Sequence, residues 1–175
     1  EGWLEADDHG ADALTYWLGH LGEAPERLDL PVDQPRSGDR SRRAGVVPVT
    51  LDADVVSGLE VLARTHGTTL FPVLLSGYGS LLGRLSRQDA VVIGTPVAGR
   101  LCLEAEPLIG FFVNTLALNV DLSGVPDSHA LVCRTAGAVR DGLDHQGLPF
   151  EVLVDHLHVA RSLEHSLVFQ AMFAW

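Results

Sequence analysis

The sequence predicts an α/β fold, built as an α+β two-layer sandwich with helices packed on one face of a sheet. Three observations carry that reading. Two short apolar runs bounded by turn residues, Asp89–Val97 and Phe111–Val120, have the signature of well-buried strands. Segments around them carry apolar residues at helical spacing, over about 52–66, 69–85 and 127–144. Glycine, proline and charged residues separate these segments, and no internal repeat or low-complexity tract interrupts them.

In chain order, residues 1–21 are mildly helical, with Leu14, Trp17, Leu18 and Leu21 in register. Residues 30–43 hold two prolines, a glycine and many charges, which prevents a regular element. Arg36, Arg40, Arg42 and Arg43 form the basic cluster there, read either as a solvated linker or as a contact for an acidic partner or phosphate. Val46–Leu51 reads as a strand, at an edge because Pro48 cannot donate to a ladder. Asp52 caps a helix to about His66, with Val55, Leu59 and Leu62 on one face and Gly67 as its stop. Thr68 or Thr69 caps the next, to about Leu85. Leu70, Leu74, Tyr78, Leu81, Leu82 and Leu85 line one side of it, Phe71, Val73 and Leu75 widen that side so that the helix should be largely buried, and Pro72 is tolerated in its first turn.

In the strand at 111–120, Phe112, Asn114, Leu116, Leu118 and Val120 share one face. Asp127 or Ser128 caps a third long helix to about Asp144, with Val132, Ala136, Val139 and Leu143 in register. A short helix at about Phe150–Leu157 and a last strand at His165–Trp175 complete the pattern.

Composition bounds the chemistry. The 175 residues are 46% hydrophobic and 20% charged, enough apolar material for a sizeable core. A net charge of −11 argues against a general binder of nucleic acid or anionic membrane, which needs clustered cations. No apolar run approaches the roughly 18–20 residues of a membrane span. No secretory signal opens the chain, which does not start with Met, so the expectation is a piece of a longer cytoplasmic polypeptide. All 12 cations are arginine, which excludes lysine Schiff bases and a P-loop lysine. Cys102 and Cys133 are too few for a disulfide framework and read as buried thiols.

Self-contained active sites are absent from the sequence. There is no G-x-S-x-G elbow, no P-loop, no H-E-x-x-H and no C-x-x-C, and Gly77-Tyr78-Gly79 lies inside a helical pattern. His145, His156, His158 and His165 match no common zinc frame, so no metal is expected. Nothing in the sequence places Cys102 or Cys133 in the electropositive pocket of a nucleophile.

Three stretches are over-specified for plain core. In residues 109–115, Ile-Gly-Phe-Phe-Val-Asn-Thr, a polar Asn114 sits among bulky apolar residues, so its amide has a hydrogen-bond partner or faces a cavity. In residues 145–151, His-Gln-Gly-Leu-Pro-Phe-Glu, one helix ends and another begins, with Gly147 serving the first end and Pro149 near the next start. In residues 161–166, Arg161 precedes an apolar strand. A polar pair in the sheet, a helix corner and a surface ion pair account for each stretch taken singly.

Together the three stretches resemble the condensation domains of nonribosomal peptide synthetases. IGFFVNTLALN is similar to the I/V-G-x-F-V-N-T motif, HQGLPFE to H-Q-D-x-P-F-E, and RSLEHSLVFQ loosely to R-D-x-S-R-N-P-L. YW with the following LDLPVDQPR, and TTLFPVLLSGYGSLLGRLSRQDAVVIGTPVAGR followed by LCLEAEPLIGFFVNT, lie in the family's order from about Trp3 to Trp175.

The resemblance implies a chloramphenicol acetyltransferase-like subdomain with a mixed sheet. Residues 1–45 would be the end of a first subdomain and a linker, and 46–175 a second subdomain truncated at its C-terminal end. It implies amide formation: the amine of an acceptor aminoacyl thioester attacks a donor acyl or peptidyl thioester, both on carrier proteins. The family's H-H-x-x-x-D-G motif supplies the central histidine. No His-His pair occurs here, so the chain is expected to hold no catalytic residue and to be inactive alone.

Asn114, Phe112, Thr115 and Gly110 would line the substrate tunnel, Asn114 either as a donor to substrate or oxyanion or as a structural amide fixing the wall. His145 would be a structural hydrogen-bonder, and Gln146, Pro149, Phe150 and Glu151 would shape the adjoining corner. Arg161 would pair across the subdomain interface, and Arg100 would brace the loop after the first buried strand.

The implied cofactor is phosphopantetheine, delivered by carrier proteins and not attached to this chain. The implied partners are upstream and downstream peptidyl or acyl carrier proteins, an adenylation domain and the missing first subdomain, with no nucleic acid and no membrane. Gly147 in place of the motif aspartate, Asn119 where the family often has Arg, and the altered last motif depart from the pattern. They leave open epimerising, heterocyclising or ester-forming relatives, and a non-catalytic module that recruits a carrier or tailoring enzyme.

Overall fold

The structure, a computed structural model, describes residues 8–33, 44–100, 103–124, 127–157 and 168–175. Its elements run α1 (Asp8–Leu21), α2 (Ala53–Thr65), α3 (Leu70–Ser86), β1 (Ala90–Val97), a one-turn 3₁₀ helix (Leu103–Ala105), β2 (Asn114–Asp121), α4 (Ser128–Asp144), α5 (Phe150–His156) and β3 (Ala171–Met172). The strands form a mixed sheet in the order β2-β1-β3. β1 and β2 are antiparallel along their whole length, from Ala90 opposite Asp121 to Val97 opposite Asn114. β3 joins β1 in parallel, Ile93 opposite Ala171.

Val91, Val92, Ile93, Gly94 and Thr95 are all buried, so β1 is covered on both faces, as its unbroken apolar run predicts. The long helices α3 and α4 cover one face. Val139 and Leu143 of α4 and Phe71 of α3 meet Thr95, Leu116 and Leu118 there. On the other face Val92 shares a cavity of about 310 Å³ with Leu18 and Leu21 of α1, Leu157 and Val168. A Cβ on Gly94 would enter the Phe169 ring, so only glycine lets that ring lie on β1.

The inward face of α3 keeps Val73, Leu75 and Leu82 of the broad apolar side expected, but not Leu81 and Leu85. Leu81 and Leu85 are exposed, while Leu75, Ser76, Gly79, Leu82, Gly83 and Ser86 are buried. The sequence reading weighted bulk, whereas the helix turns its small residues inward and so approaches the sheet closely. A Cβ on Gly79 would lie 2.7 Å from a methyl of Val120. The hydroxyls of Ser76 and Ser86 donate to carbonyls of their own helix, Val73 and Leu82 respectively, which lets them be buried.

α2 stops at His66 with Gly67 at φ +60, as its position after the last apolar residue predicts. α2 buries only Ala63, and Leu59 and Leu62 lie half-buried in a small cluster with Val73 and Val132. Asp52 and Thr69 sit at their N-caps without side-chain capping bonds, whereas Asp127 accepts from Ala130 N–H at 2.7 Å.

Three expected strand assignments change. Val46–Leu51 is not a strand: among the described residues it has no ladder, and Val46, Val47 and Val49 are exposed. Alternating β-branched residues give a strand only where an edge is available to pair. β2 begins at Asn114, not Phe111, because residues 111–113 have no partner on β1. The last strand shrinks to Ala171–Met172, and residues 165–167 of that assignment lie outside the described residues.

α1 shares one core with the sheet. Ala13, Trp17, Leu21 and Leu28 pack with Leu118, Val92 and Ile93. Two glutamine amides stitch the segment after α1 to the sheet. Gln170 Oε1 accepts from Leu28 N–H at 2.6 Å, Gln88 Oε1 accepts from Asp29 N–H at 2.9 Å, and Gln88 Nε2 donates to Arg27 O. The residues that satisfy this extended segment are thus side chains far away in sequence.

Two nearby glycines of α3 should respond oppositely to an added side chain. Gly77 is exposed, with open space where a Cβ would go. Gly77→Ala should raise the urea midpoint, with a gain of about 0.5–1 kcal/mol. Gly79→Leu should cost about 1–3 kcal/mol as the helix is forced off Val120.

Candidate functional site

Two of the three over-specified stretches, residues 109–115 and 145–151, meet at one corner, where the start of β2 reaches the turn between α4 and α5; residues 161–166 lie outside the described residues. Asn114, half-buried as the first residue of β2, is its centre. Its Nδ2 donates to Gln146 O at 2.9 Å and to Leu148 O at 2.8 Å. Its Oδ1 accepts from Phe150 N–H at 3.1 Å and from Thr115 N–H at 2.8 Å. One carboxamide thus uses both hydrogens and both lone pairs. The turn needs those partners because its carbonyls and the first amide of α5 have left helical bonding. In this structure both amide hydrogens of Asn114 are committed to the corner.

The turn is also held from its other side. His145 is the C-cap of α4, and its Nδ1 donates to Asp141 O at 2.7 Å. Its own carbonyl accepts from the indole N–H of Trp17 at 3.0 Å. Its ring stacks on Tyr16 with centroids 4.0 Å apart and planes 7° from parallel. His145 is therefore a hydrogen-bonder and a stacking plate. Gln146 serves the corner through its backbone carbonyl. Pro149 is the N-cap of α5, where its missing N–H costs nothing. Gly147, expected to serve the end of α4, has no positive φ, and α4 ends at His145 by ordinary backbone bonds. Glu151 lies exposed in the first turn of α5, where its charge complements the helix dipole.

A second feature adjoins the corner through the segment before β2. Arg100 donates to Glu106 O at 3.2 Å and Leu108 O at 3.0 Å, and its guanidinium lies 4.3 Å from the centre of the Phe112 ring. Gly99 takes φ +62, and a Cβ there would overlap Phe112 O, so the two segments touch backbone to backbone. Phe112 is half-buried beneath Arg100, while Gly110 is exposed. Around them Leu103, Leu108, Ile109 and Phe111 present exposed apolar side chains, Phe111 at 90%. Arg161 lies outside the described residues, as do Cys102, His158 and His165.

Two groupings escaped the sequence reading. Tyr16 stands between His145 and His20, the second ring 5.5 Å away, and burial with the nearby carboxylates of Asp141 and Asp144 pushes its hydroxyl up to about 12. The Tyr16–His20 spacing of four on a helix was the available signal. His66, His129 and Cys133 also come together, and Cys133 is exposed, not a buried thiol. The i,i+4 pair His129 and Cys133 was visible in the sequence, but its third member comes from another helix.

Residues 3–175 match the family described as Condensation domain. The chain belongs to that family. It is 44% identical over 173 residues to malpinin synthetase of Mortierella alpina, covering 99% of this chain and 2% of that protein. It is 41% identical over 164 residues to the phosphinothricin tripeptide synthetase PhsB of Streptomyces viridochromogenes, covering 94% of this chain and 14% of that protein. A four-domain nonribosomal peptide synthetase, crystallised with AMP and glycine, superposes with a TM-score of 0.91 at 30% identity, over 97% of this chain and 13% of that one. The X-domain from teicoplanin biosynthesis superposes with 0.89 at 31%, over 98% of this chain and 38% of that one. The condensation domain fold, with its mixed sheet and packed helices, is therefore that of this chain, which spans a small part of its curated relatives.

The corner makes two predictions. Asn114→Ala strands two carbonyls and the Phe150 N–H, and should lower stability by about 2–4 kcal/mol in urea unfolding. Asn114→Asp sets a carboxylate against the same two carbonyls, so its deficit should shrink as pH falls through the carboxylate range. The second concerns His20, whose Nε2 accepts from Asn119 N–H at 2.9 Å and whose ring is neutral in that role. Burial holds its proton affinity below the ordinary 6.5, against an opposing pull from Asp141. The unfolded chain takes up this proton first, so stability should fall as pH drops through 6.5. Urea midpoints measured above and below that pH should show a smaller fall in His20→Gln.

Proposed function

We propose that this chain is part of a condensation domain that forms an amide bond between two carrier-bound substrates in nonribosomal peptide synthesis. The acceptor amine attacks the donor thioester carbonyl, the carbonyl carbon gains a C–N bond, and the donor thiol leaves with a proton. The observation that carries this reading is the family match over residues 3–175, at 41–44% identity to peptide synthetases.

In this reading the central histidine pair comes from outside these 175 residues, since the sequence has no His-His pair. The chain contributes positioning instead. Asn114 is a positioning residue: it clamps Gln146, Leu148 and Phe150 to the start of β2 and so holds one wall of the tunnel. Phe112, Thr115 and Gly110 line that wall, with Arg100 bracing the loop that carries Phe112.

The exposed apolar segment 103–113 seats the first subdomain, which supports the expectation that this chain needs that partner. Carrier proteins bring phosphopantetheine, and an adenylation domain loads the acceptor. Among the described residues no helix is long and apolar enough to cross a membrane.

A second reading has one observation in its favour. The teicoplanin X-domain is as similar to this chain, at 31% identity, as the four-domain synthetase is at 30%, and the X-domain has a solved complex with OxyB. The chain would then recruit a partner enzyme without forming a bond.

The parent module, supplied with a donor aminoacyl carrier and a loaded acceptor carrier, separates these readings by intact-protein mass spectrometry. A dipeptide on the acceptor carrier is the expected result, and Asn114→Ala should reduce its rate by tenfold or more. An inverted residue or a dehydrated ring would replace amide condensation with a relative's chemistry. Carrier binding without transfer would favour recruitment.

A further inference from the structure

The cluster of His66, His129 and Cys133 lies away from the corner at Asn114 and belongs to none of the motifs that carry the family resemblance. His66 is the C-cap of α2, and His129 and Cys133 stand one turn apart at the start of α4. His66 Nε2 is 2.8 Å from His129 Nδ1, and His129 Nε2 is 3.9 Å from Cys133 Sγ. One ligand atom from each residue can be chosen so that all lie within 4.8 Å of one another. His129 and Cys133 are exposed and His66 is half-buried, so the group opens to solvent.

We propose that His66, His129 and Cys133 form a binding site for a borderline-soft divalent cation of the zinc type, linking α2 to α4. The protonation pattern favours a cation. His66 Nδ1 lies 2.8 Å from Leu62 O, and a carbonyl only accepts, so Nδ1 carries the proton. That fixes the tautomer and aims the Nε2 lone pair at the cluster, where it accepts from His129 Nδ1 in the metal-free chain and a cation would take the place of that proton; a backbone carbonyl orients a ligating imidazole in the same way. Cys133 supplies sulfur, and one ring nitrogen of His129 completes an N₂S set.

Two imidazoles and a thiolate prefer zinc-like ions over calcium or magnesium, which take oxygen ligands. Metal–nitrogen bonds of about 2.0–2.1 Å and a metal–sulfur bond of about 2.3 Å give tetrahedral edges of roughly 3.3–3.6 Å. The present 2.8 Å nitrogen pair must open by about half an ångström, and the exposed ring of His129 is free to move that far. Binding releases one proton, from the Cys133 thiol. Three protein ligands leave the fourth position to water or a small exogenous ligand.

The site has a structural consequence. α2 buries only Ala63 and packs through a small cluster with Val73 and Val132, separate from the main core. A metal between its C-cap and α4 adds a second attachment to the least buried of the long helices. A ligand that binds only the folded state raises its stability by mass action.

The test uses the purified chain, stripped of metal by chelator and held reduced. Titrated with cobalt(II), it should bind one ion per chain. A near-ultraviolet sulfur-to-cobalt charge-transfer band and the visible absorption of a tetrahedral ion should appear, and zinc should displace both. Cys133→Ser should abolish the charge-transfer band. His66→Gln and His129→Gln should each weaken zinc binding tenfold or more, measured against a chromophoric chelator. These side chains lie at or near the surface, and circular dichroism of each variant checks that the fold is kept. Absence of the band in the parent chain would overturn the proposal. So would a band that survives Cys133→Ser, or zinc affinity unmoved by both histidine changes, because the ligands would then lie elsewhere.

Discussion

A single side-chain amide holds together the part of this fold that the family motifs surround. Asn114 makes four hydrogen bonds, two given and two received, to three segments: its own strand, the end of the α4 turn and the start of α5. A polar group in a half-buried position is tolerated only when its partners are complete, and here they are. The same turn is held on its far side by the Trp17 indole and by the stack of His145 on Tyr16. The corner is thus clamped between the sheet and α1. Its geometry depends on residues more than a hundred positions apart, which is why α1 belongs to the same packed unit as the strands.

The corner can be placed this accurately because the sheet beneath it is buried on both faces. β1 carries five consecutive buried residues, and α3 reaches the sheet closely through Gly79 and Gly83. Small residues at that interface exchange apolar bulk for proximity. The leucines left outside, Leu81 and Leu85, are half-exposed on the far side of α3. The segment before β2 is the opposite case. Arg100 anchors its backbone through two carbonyls, yet Ile109 and Phe111 remain in solvent. A loop held rigidly while it exposes large apolar side chains is suited to receiving another surface. α2 is different again: it is attached by a small separate cluster, and its C-cap histidine faces two potential ligands on α4.

Much of the architecture was legible in the chain. The unbroken apolar run at 90–97, the helix spans at 53–65, 70–86 and 128–144, the stop at Gly67 and the cap at Asp127 all depend on interactions within a few residues, and all appear where local pattern places them. The ordered motifs identified the family for the same reason: they are contiguous strings. Patterns that needed a distant partner were misread. Val46–Leu51 alternates like a strand but has no ladder among the described residues. β2 starts three residues late because the register of β1 ends opposite Asn114.

For the site, the sequence alone determined that Asn114 needs partners or a cavity and that residues 145–151 make a helix corner, because a polar residue in an apolar run and the spacing of turn residues are local facts. Only the tertiary structure decided that these two belong to each other, that the amide spends both hydrogens on carbonyls 32 and 34 residues away, and that His66 meets His129 across 63 residues. The physical reason is the range of the forces involved. Periodicity and capping act within a turn or two of the backbone, while hydrogen-bond complementarity between folded segments depends on a register and a helix rotation that only packing of the whole core selects.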